Sequence, residues 1–267
     1  MDIQFIKASP TQNVTILVLT QVPRAIQPEI AAQLLRYDGV GGEQVGFIEE
    51  SKSARLRLQM MGGEFCGNAS MAAGAYLALR EKLPFGANAE YPIEVSGADG
   101  IVRVGIARTG KTFRGRVNMP GAERILRIDL NADSGVISAD AVFLPGIVHL
   151  ILPKKSGITL EEIERRICDW NGQIHADALG ALIYDECEQS IEPVVYVPAS
   201  NTIVRERGCG SGTAAIGCLN AAQNSAFSAN IRQPGGEIKV IAQMIGGKFS
   251  VQIEGNVSIV ASGTAYL

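Results

Sequence analysis

Only two histidines, His149 and His175, occur in 267 residues, and they stand in unrelated contexts. The five cysteines, Cys66, Cys168, Cys187, Cys209 and Cys218, form no C-x-x-C pair. Ligands at zinc-binding spacing are therefore lacking, and no metal is expected. Lys and Arg total 24 against 27 Asp and Glu, giving a net charge of −3. No basic face is forced, which makes nucleic acid a poor partner. The longest apolar run, residues 141–153, is too short to span a bilayer and is broken by Pro145 and Gly146. The first ten residues carry an acid at position 2 and lack the apolar core of an export signal. Without such a signal, thiols are favoured over disulfides. These absences predict a soluble, cytoplasmic protein with no nucleic-acid and no membrane partner.

What is present suffices for one large domain or two medium ones. "NVTILVLT" (13–20) is apolar and β-branched and predicts a buried strand. "PEIAAQLLRYDG" has helical spacing and stops at Gly39. "EQVGFIEE" and "ARLRLQMMGG" predict a strand pair, Leu56, Leu58 and Met60 alternating with Arg55, Arg57 and Gln59. "NASMAAGAYLALREKL" (68–83) predicts a helix ended by Pro84, and a hairpin turns at Asp99-Gly100. The second half repeats this grammar. Strand-like "DAVFLPGIVHLILP" precedes a helix over 159–172, with Thr159 as N-cap and Glu162 completing a capping box. Two strands and a helix over 211–225 follow. A closing meander turns at Gly246-Gly247 and Gly255-Asn256. The predicted class is α+β with an approximate internal duplication: lobes over 1–120 and 121–258, and a closing segment, 259–267, free to return to the first lobe.

The duplication is sharpest in two short stretches. "GGEFCGNAS" (62–70) recurs in altered form as "RGCGSGTAA" (207–215). Each places Cys-Gly and a small polar residue, Asn68 or Ser211, before a run of helix-forming small residues. A helix start leaves about four N–H groups unpaired and carries roughly half a positive charge. It therefore binds carboxylates. It also acidifies a thiol, from about 8.5 toward roughly 3.5–7.5. Gly67 and Gly210 let a ligand approach the amides closely. Asn68 and Ser211 are predicted as caps. Two such turns facing one another would hold an amino acid by its carboxylate, with a sulfur on each side of the α-carbon. A thiolate would abstract the α-proton and a thiol would supply one to the opposite face. The amides and helix dipoles would stabilise the developing charge. No pyridoxal lysine, metal or nicotinamide is needed, and no cofactor is expected.

These motifs also carry a resemblance. "FCGNAS" resembles the "MCGNG" turn of diaminopimelate epimerases. "ERGCGSGTAA" (206–215) resembles the second catalytic turn of that family and the Cys turn of proline racemases. "EQVGFIE", "EFCGNA", "CGSGTA" and "QPGG" together are similar to the cofactor-independent histidine racemases of staphylopine-type metallophore synthesis. The resemblance implies two lobes, each a sheet wrapped around a central helix, with the active site in the cleft between them. It implies Cys66 and Cys209 as the acid/base pair. It places Gly67, Asn68, Gly210 and Ser211 at the substrate's carboxylate or amino group, and Asn13, Glu43 and Glu206 among the substrate contacts. "GIVH" replaces the epimerases' "GNPH", losing an Asn at Ile147, and the segment between their Glu-Arg pair and the second Cys is missing. Both losses favour a single-headed substrate, histidine first. Diaminopimelate or another amino acid is the alternative. A thiol redox switch built on the same cysteines is the alternative of another class. A homodimer is compatible with the reading. Cys168, on helical spacing with Ile163 and Ile167, reads as core; Cys187 as an exposed turn residue; Cys218 as buried; and His149 as structural.

Overall fold

The computed structural model describes Met1–Leu267 in full, and alternating burial turns most of its apolar segments into strands. The chain divides into two units: Met1–Asn118 with Glu254–Leu267, and Met119–Ile253. The first unit contains β1 (Asp2–Pro10), β2 (Thr15–Val18), α1 (Gln27–Leu35), β3 (Gln44–Glu49), β4 (Arg57–Met60), α2 (Gly67–Arg80), β5 (Asn88–Val95), β6 (Ile101–Thr109) and β7 (Thr112–Met119). The second contains β8 (Arg124–Ala132), β9 (Gly135–Leu144), β10 (Ile147–Pro153), α3 (Leu160–Ile174), β11 (Leu179–Asp185), β12 (Ser190–Val197), β13 (Thr202–Arg205), α4 (Gly210–Asn224), β14 (Ala226–Gln233) and β15 (Gly236–Ile245). Met119, the last residue of β7, falls in the second unit, and the last strand, β16 (Lys248–Tyr266), contributes residues to each.

One order of elements is used twice. In the first unit β1 and β2 pair antiparallel, and α1 crosses to β3, which lies parallel to β2. β3 and β4 pair antiparallel, and α2 then crosses to β5, parallel to β4. In the second unit β9 and β10 pair antiparallel, and α3 crosses to the parallel β11. β11 and β12 pair antiparallel, and α4 crosses to β14, parallel to β12 at Ser190–Arg232. An antiparallel pair follows each second crossover, β5–β6 and β14–β15. Helix crossovers suit parallel strands because a tight turn cannot reverse the chain twice.

The four helices divide into two kinds by composition. α3 is amphipathic and buries Ile163, Ile167 and Trp170 on one stripe, with Trp170 Nε1 donating to Asn131 O at 3.0 Å. α2 and α4 are rich in Ala and Gly and are buried on most faces. Small side chains let strands close in from several sides: α2 packs on β1, β2, β5 and β6, and α4 on β9, β10, β14 and β15. The repeat reaches single residues. Gly74 and Gly217 each stand eight positions after the cysteine at the helix start, 74 against 66 and 217 against 209. A Cβ on Gly74 would lie 2.8 Å from Val104 Cγ1 of β6, and one on Gly217 would lie 2.5 Å from Val240 Cγ2 of β15.

Several expectations differ from the fold. No turn forms at Gly255-Asn256, because β16 runs on to pair with β1, from Pro10↔Val257 to Asp2↔Tyr266. That pairing joins the two ends of the sequence, which no local pattern reveals. The helix begun at Thr159 continues past Gly172 and ends on His175 in the left-handed region. Its capping box is half formed. Thr159 Oγ1 accepts from Glu162 N at 3.3 Å, while the Glu162 carboxylate turns away to Asp133 N. Cys168, expected in the core, is exposed, because the buried stripe of α3 passes through Ile163, Ile167 and Trp170 instead. Cys187 is exposed and Cys218 buried, as read from the sequence. No helix is long and apolar enough to cross a membrane.

The two central glycines give a direct test. Alanine is the better helix former by about 1 kcal/mol, yet forcing a methyl into a packed interface costs about 1–3 kcal/mol. Overpacking wins where the neighbour is a β-branched side chain on a fixed strand. Gly217→Ala is expected to lower unfolding stability in urea, and Gly74→Ala by less, in keeping with the longer contact.

Candidate active site

The two Cys-Gly turns prove to be the same device. Cys66 is the N-cap of α2 and Cys209 the N-cap of α4, both in extended backbone. The Cys66 sulfur accepts from Ala69 N at 3.4 Å, and the Cys209 sulfur from Gly212 N at 3.3 Å. One position further on, Ser70 Oγ donates to Cys66 O at 2.7 Å and Thr213 Oγ1 donates to Cys209 O at 2.7 Å. The cap is thus the cysteine itself, correcting the expectation that Asn68 and Ser211 fill it. Those two are the second residues of their helices, after Gly67 and Gly210. Three of these four are buried; Ser211 is half-buried.

In the first unit, Cys66 Sγ donates to Gln44 Oε1 at 3.1 Å. Gln44 Nε2 in turn donates to Asn13 Oδ1 at 2.6 Å and Thr15 Oγ1 at 2.8 Å. This row of polar groups is held from both ends. Thr11 (φ 47°) and Gln12 (φ 60°) both lie in the left-handed region and turn the chain into the buried Asn13. Such backbone costs on the order of 1–3 kcal/mol per residue and collects at functional sites. Ser96 Oγ accepts from Met60 N and donates to Glu64 O, both at 2.9 Å, pinning the loop that leads from β4 into Cys66. Glu43 adjoins Gln44 and is half-buried, its backbone N–H bonded to Val14 O at 2.8 Å.

The second unit gives its cysteine other neighbours. Cys209 is 1% exposed. Its amide donates to Gln233 Oε1 at 2.6 Å, and Gln233 Nε2 donates to Thr213 Oγ1 at 2.7 Å, so one buried amide clamps the helix start. The carboxylate of Glu206 bonds the thiol. Glu206 is half-buried as a residue, but its carboxyl end is enclosed, and burial raises it above the usual carboxylate range. Ser211 Oγ lies 3.6 Å from Cys209 Sγ and 2.9 Å from His149 Nε2. Burial pushes the Cys209 thiol well above its ordinary value, and the Glu206 charge and hydrogen bond add to the rise; Ser211 and the Gly212 amide oppose it. The acidified thiol expected at this helix start is therefore absent. Loss of water around a buried sulfur outweighs the helix terminus, and a neighbouring anion works the same way.

Of the residues singled out from the sequence, Asn13 and Cys66 are brought together through Gln44, and Glu206, Ser211 and Cys209 meet directly. Gln44, Gln233 and His149 were missed as site residues. Each lies in a quoted motif, "EQVGF", "QPGG" or "GIVH", but only the fold aims them at a cysteine. Chemically, each turn offers a sulfur able to take or give a proton beside helix amides suited to a carboxylate. No group of three or more His, Cys, Asp and Glu is placed to hold a metal ion.

Comparison with known proteins adds a family. Residues 2–266 match the model of the histidine racemase CntK N-terminal domain. A histidine racemase of Staphylococcus aureus is 31% identical over 277 residues, covering 99% of this chain and 98% of that protein. One of Fusobacterium nucleatum is 31% identical over 271 residues, covering 99% and 97%. Among solved structures, a probable proline racemase from Agrobacterium radiobacter K84 superposes with a TM-score of 0.73 at 14% identity, covering 99% of this chain and 93% of that one. A hydroxyproline epimerase from Agrobacterium vitis gives 0.72 at 13%, covering 100% and 93%. A PhzF-family phenazine biosynthesis protein from Bacillus anthracis gives 0.68 at 16%, covering 100% of both. These likenesses are of fold, a sheet-rich α+β architecture.

His149 makes a pH-dependent contribution that can be measured. Burial pushes its imidazole from 6.5 down to about 3. The folded group stays neutral where the unfolded one is protonated, so stability is present above the unfolded value and is lost as pH falls through that window. The ceiling is on the order of 5 kcal/mol. Urea midpoints of the parent protein are expected to fall between about pH 6.5 and the acid limit of folding. In His149→Gln that slope should flatten. An equal slope in both would assign the effect to other groups.

Proposed function

Because the chain belongs to the histidine racemase family and is an amino-acid racemase, we propose that it inverts the α-carbon of histidine by a two-base exchange using Cys66 and Cys209. The observation that carries this reading is the matched pair of cysteine caps, identical in the amide bond to sulfur and the hydroxyl bond to the carbonyl. A buried structural cysteine needs neither a helix start nor a twin.

The reading requires the two turns to meet one substrate, with a sulfur on each face of its α-carbon. The thiolate of one cysteine takes the α-proton, and the C–H electron pair remains on carbon. The thiol of the other delivers its proton to the opposite face and becomes the thiolate. Atoms and charge balance, and the two sulfurs have exchanged protonation states. The surroundings of Cys209 favour the thiol, which suits it to the acid role at rest and leaves the base role to Cys66. The substrate carboxylate lies against the amides at Gly67–Asn68 and Gly210–Ser211, whose partial charges also stabilise the carbanion-like transition state. Both proton-transfer groups come from the chain, so the reaction is written without pyridoxal phosphate. Glu43 is assigned to the substrate imidazole.

Incubating the protein with a panel of L-amino acids and with diaminopimelate in heavy water tests this. Histidine is expected to racemise and to gain deuterium at the α-carbon of the inverted product. Inversion without label would remove the two-base mechanism, and turnover of diaminopimelate but not histidine would remove the substrate. Cys66→Ser and Cys209→Ser should each abolish racemisation while leaving exchange of the α-proton from one enantiomer only. Near-parental turnover in either would sink the assignment.

A further inference from the structure

His149 is fully buried on β10, yet only one of its ring nitrogens is bonded. Nε2 lies 2.9 Å from Ser211 Oγ, while Nδ1 has no hydrogen-bond partner. Room for the ring comes from the neighbouring strand. His149 is in register with Gly180 of β11, and a Cβ there would come within 2.1 Å of Nδ1. A leucine would fill the same space without burying an unsatisfied nitrogen, which is ordinarily unfavourable. Packing alone therefore does not account for an imidazole at this position.

The orphan nitrogen fixes the proton. Buried N–H groups without acceptors are rarer than under-satisfied acceptors. The lone pair belongs on Nδ1 and the hydrogen on Nε2, which donates to Ser211 Oγ. With that oxygen's acceptor side occupied, the hydroxyl proton of Ser211 is left to point elsewhere. Cys209 Sγ, 3.6 Å away, is the acceptor the structure provides. We propose that His149 is a positioning residue: through Ser211 it directs a fixed O–H at Cys209 and steadies the thiolate that this sulfur becomes after giving up its proton.

This inference rests on the two-base reading, in which Cys209 must exist in both protonation states. Its surroundings then divide the work. The Glu206 carboxylate faces the sulfur and favours the thiol, while Ser211 Oγ–H and Gly212 N–H favour the thiolate. No proton passes along the row, and the imidazole remains neutral throughout.

The test needs no substrate. Thiolate absorbance is followed against pH in the parent, Ser211→Ala, His149→Gln and the double variant, each minus its Cys209→Ser counterpart to isolate one sulfur. Below the Cys209 midpoint the thiolate fraction in Ser211→Ala should fall about tenfold, the loss of one hydrogen bond to a charged group. His149→Gln should shift it in the same direction, and the double variant no further than Ser211→Ala. Parental titration in Ser211→Ala, or additive effects, would overturn the proposal. If His149→Gln does not fold, nitrogen chemical shifts of the intact protein decide: hydrogen on Nε2 upholds the inference, and hydrogen on Nδ1 defeats it. A chain that passes these tests but leaves histidine unchanged loses the function proposed above and keeps this one.

Discussion

A sulfur atom accepting an amide hydrogen at the start of a buried helix is the contact on which the rest of this molecule is arranged. Helix starts usually recruit Ser, Thr, Asp or Asn, whose oxygens are better acceptors. Cysteine at both caps gives up some of that stabilisation, so the starts must be held otherwise. They are held by the hydroxyls of Ser70 and Thr213 on the two cap carbonyls, and in the second unit by the Gln233 amide as well. The helices behind the caps are small-residue rods packed on several strands each. Such packing fixes a helix axis, and with it the sulfur, more firmly than an amphipathic helix seated on one face.

The two caps share a frame but not an environment. Cys66 is half-buried and donates to a neutral amide that is itself anchored on Asn13 and Thr15. Cys209 is enclosed and bonded by a carboxylate. Burial penalises the thiolate of Cys209, and the carboxylate adds to that penalty, so this sulfur rests protonated. Duplication supplies the common geometry, and divergence of the neighbours supplies the asymmetry.

Much of this was legible in the sequence, though unevenly. Strands announced by apolar runs or by alternation, such as β3, β4 and β11, and the helices after each Cys-Gly fell where local pattern put them. The cysteines stood out because the same unusual dipeptide opened two small-residue runs. What escaped was set by distant partners. The β1–β16 pairing depends on residues at opposite ends of the chain. Gln44 was passed over in favour of its neighbour Glu43, because the bond from Cys66 to Gln44 depends on the pairing of β3 and not on local pattern. The acidity of Cys209 was misread for a related reason. A helix start is visible in sequence, but the depth of burial around it is not, and here depth is the larger effect.

The proposed acid/base pair, swapping roles at every inversion, poses a physical difficulty. Any feature that strongly favours one protonation state of a sulfur speeds one direction and slows the other. In the second unit burial and Glu206 hold Cys209 toward the thiol, and Ser211 with the Gly212 amide oppose them in part. Opposition of this kind lowers the difference between the two charge states without removing either partner, and fixed dipoles achieve it with little reorganisation as charge moves. A neutral buried imidazole behind Ser211 fits that scheme better than a charged one would. A cation there would pull strongly toward thiolate, whereas a neutral ring holds a hydroxyl in place and leaves Cys209 resting as the thiol.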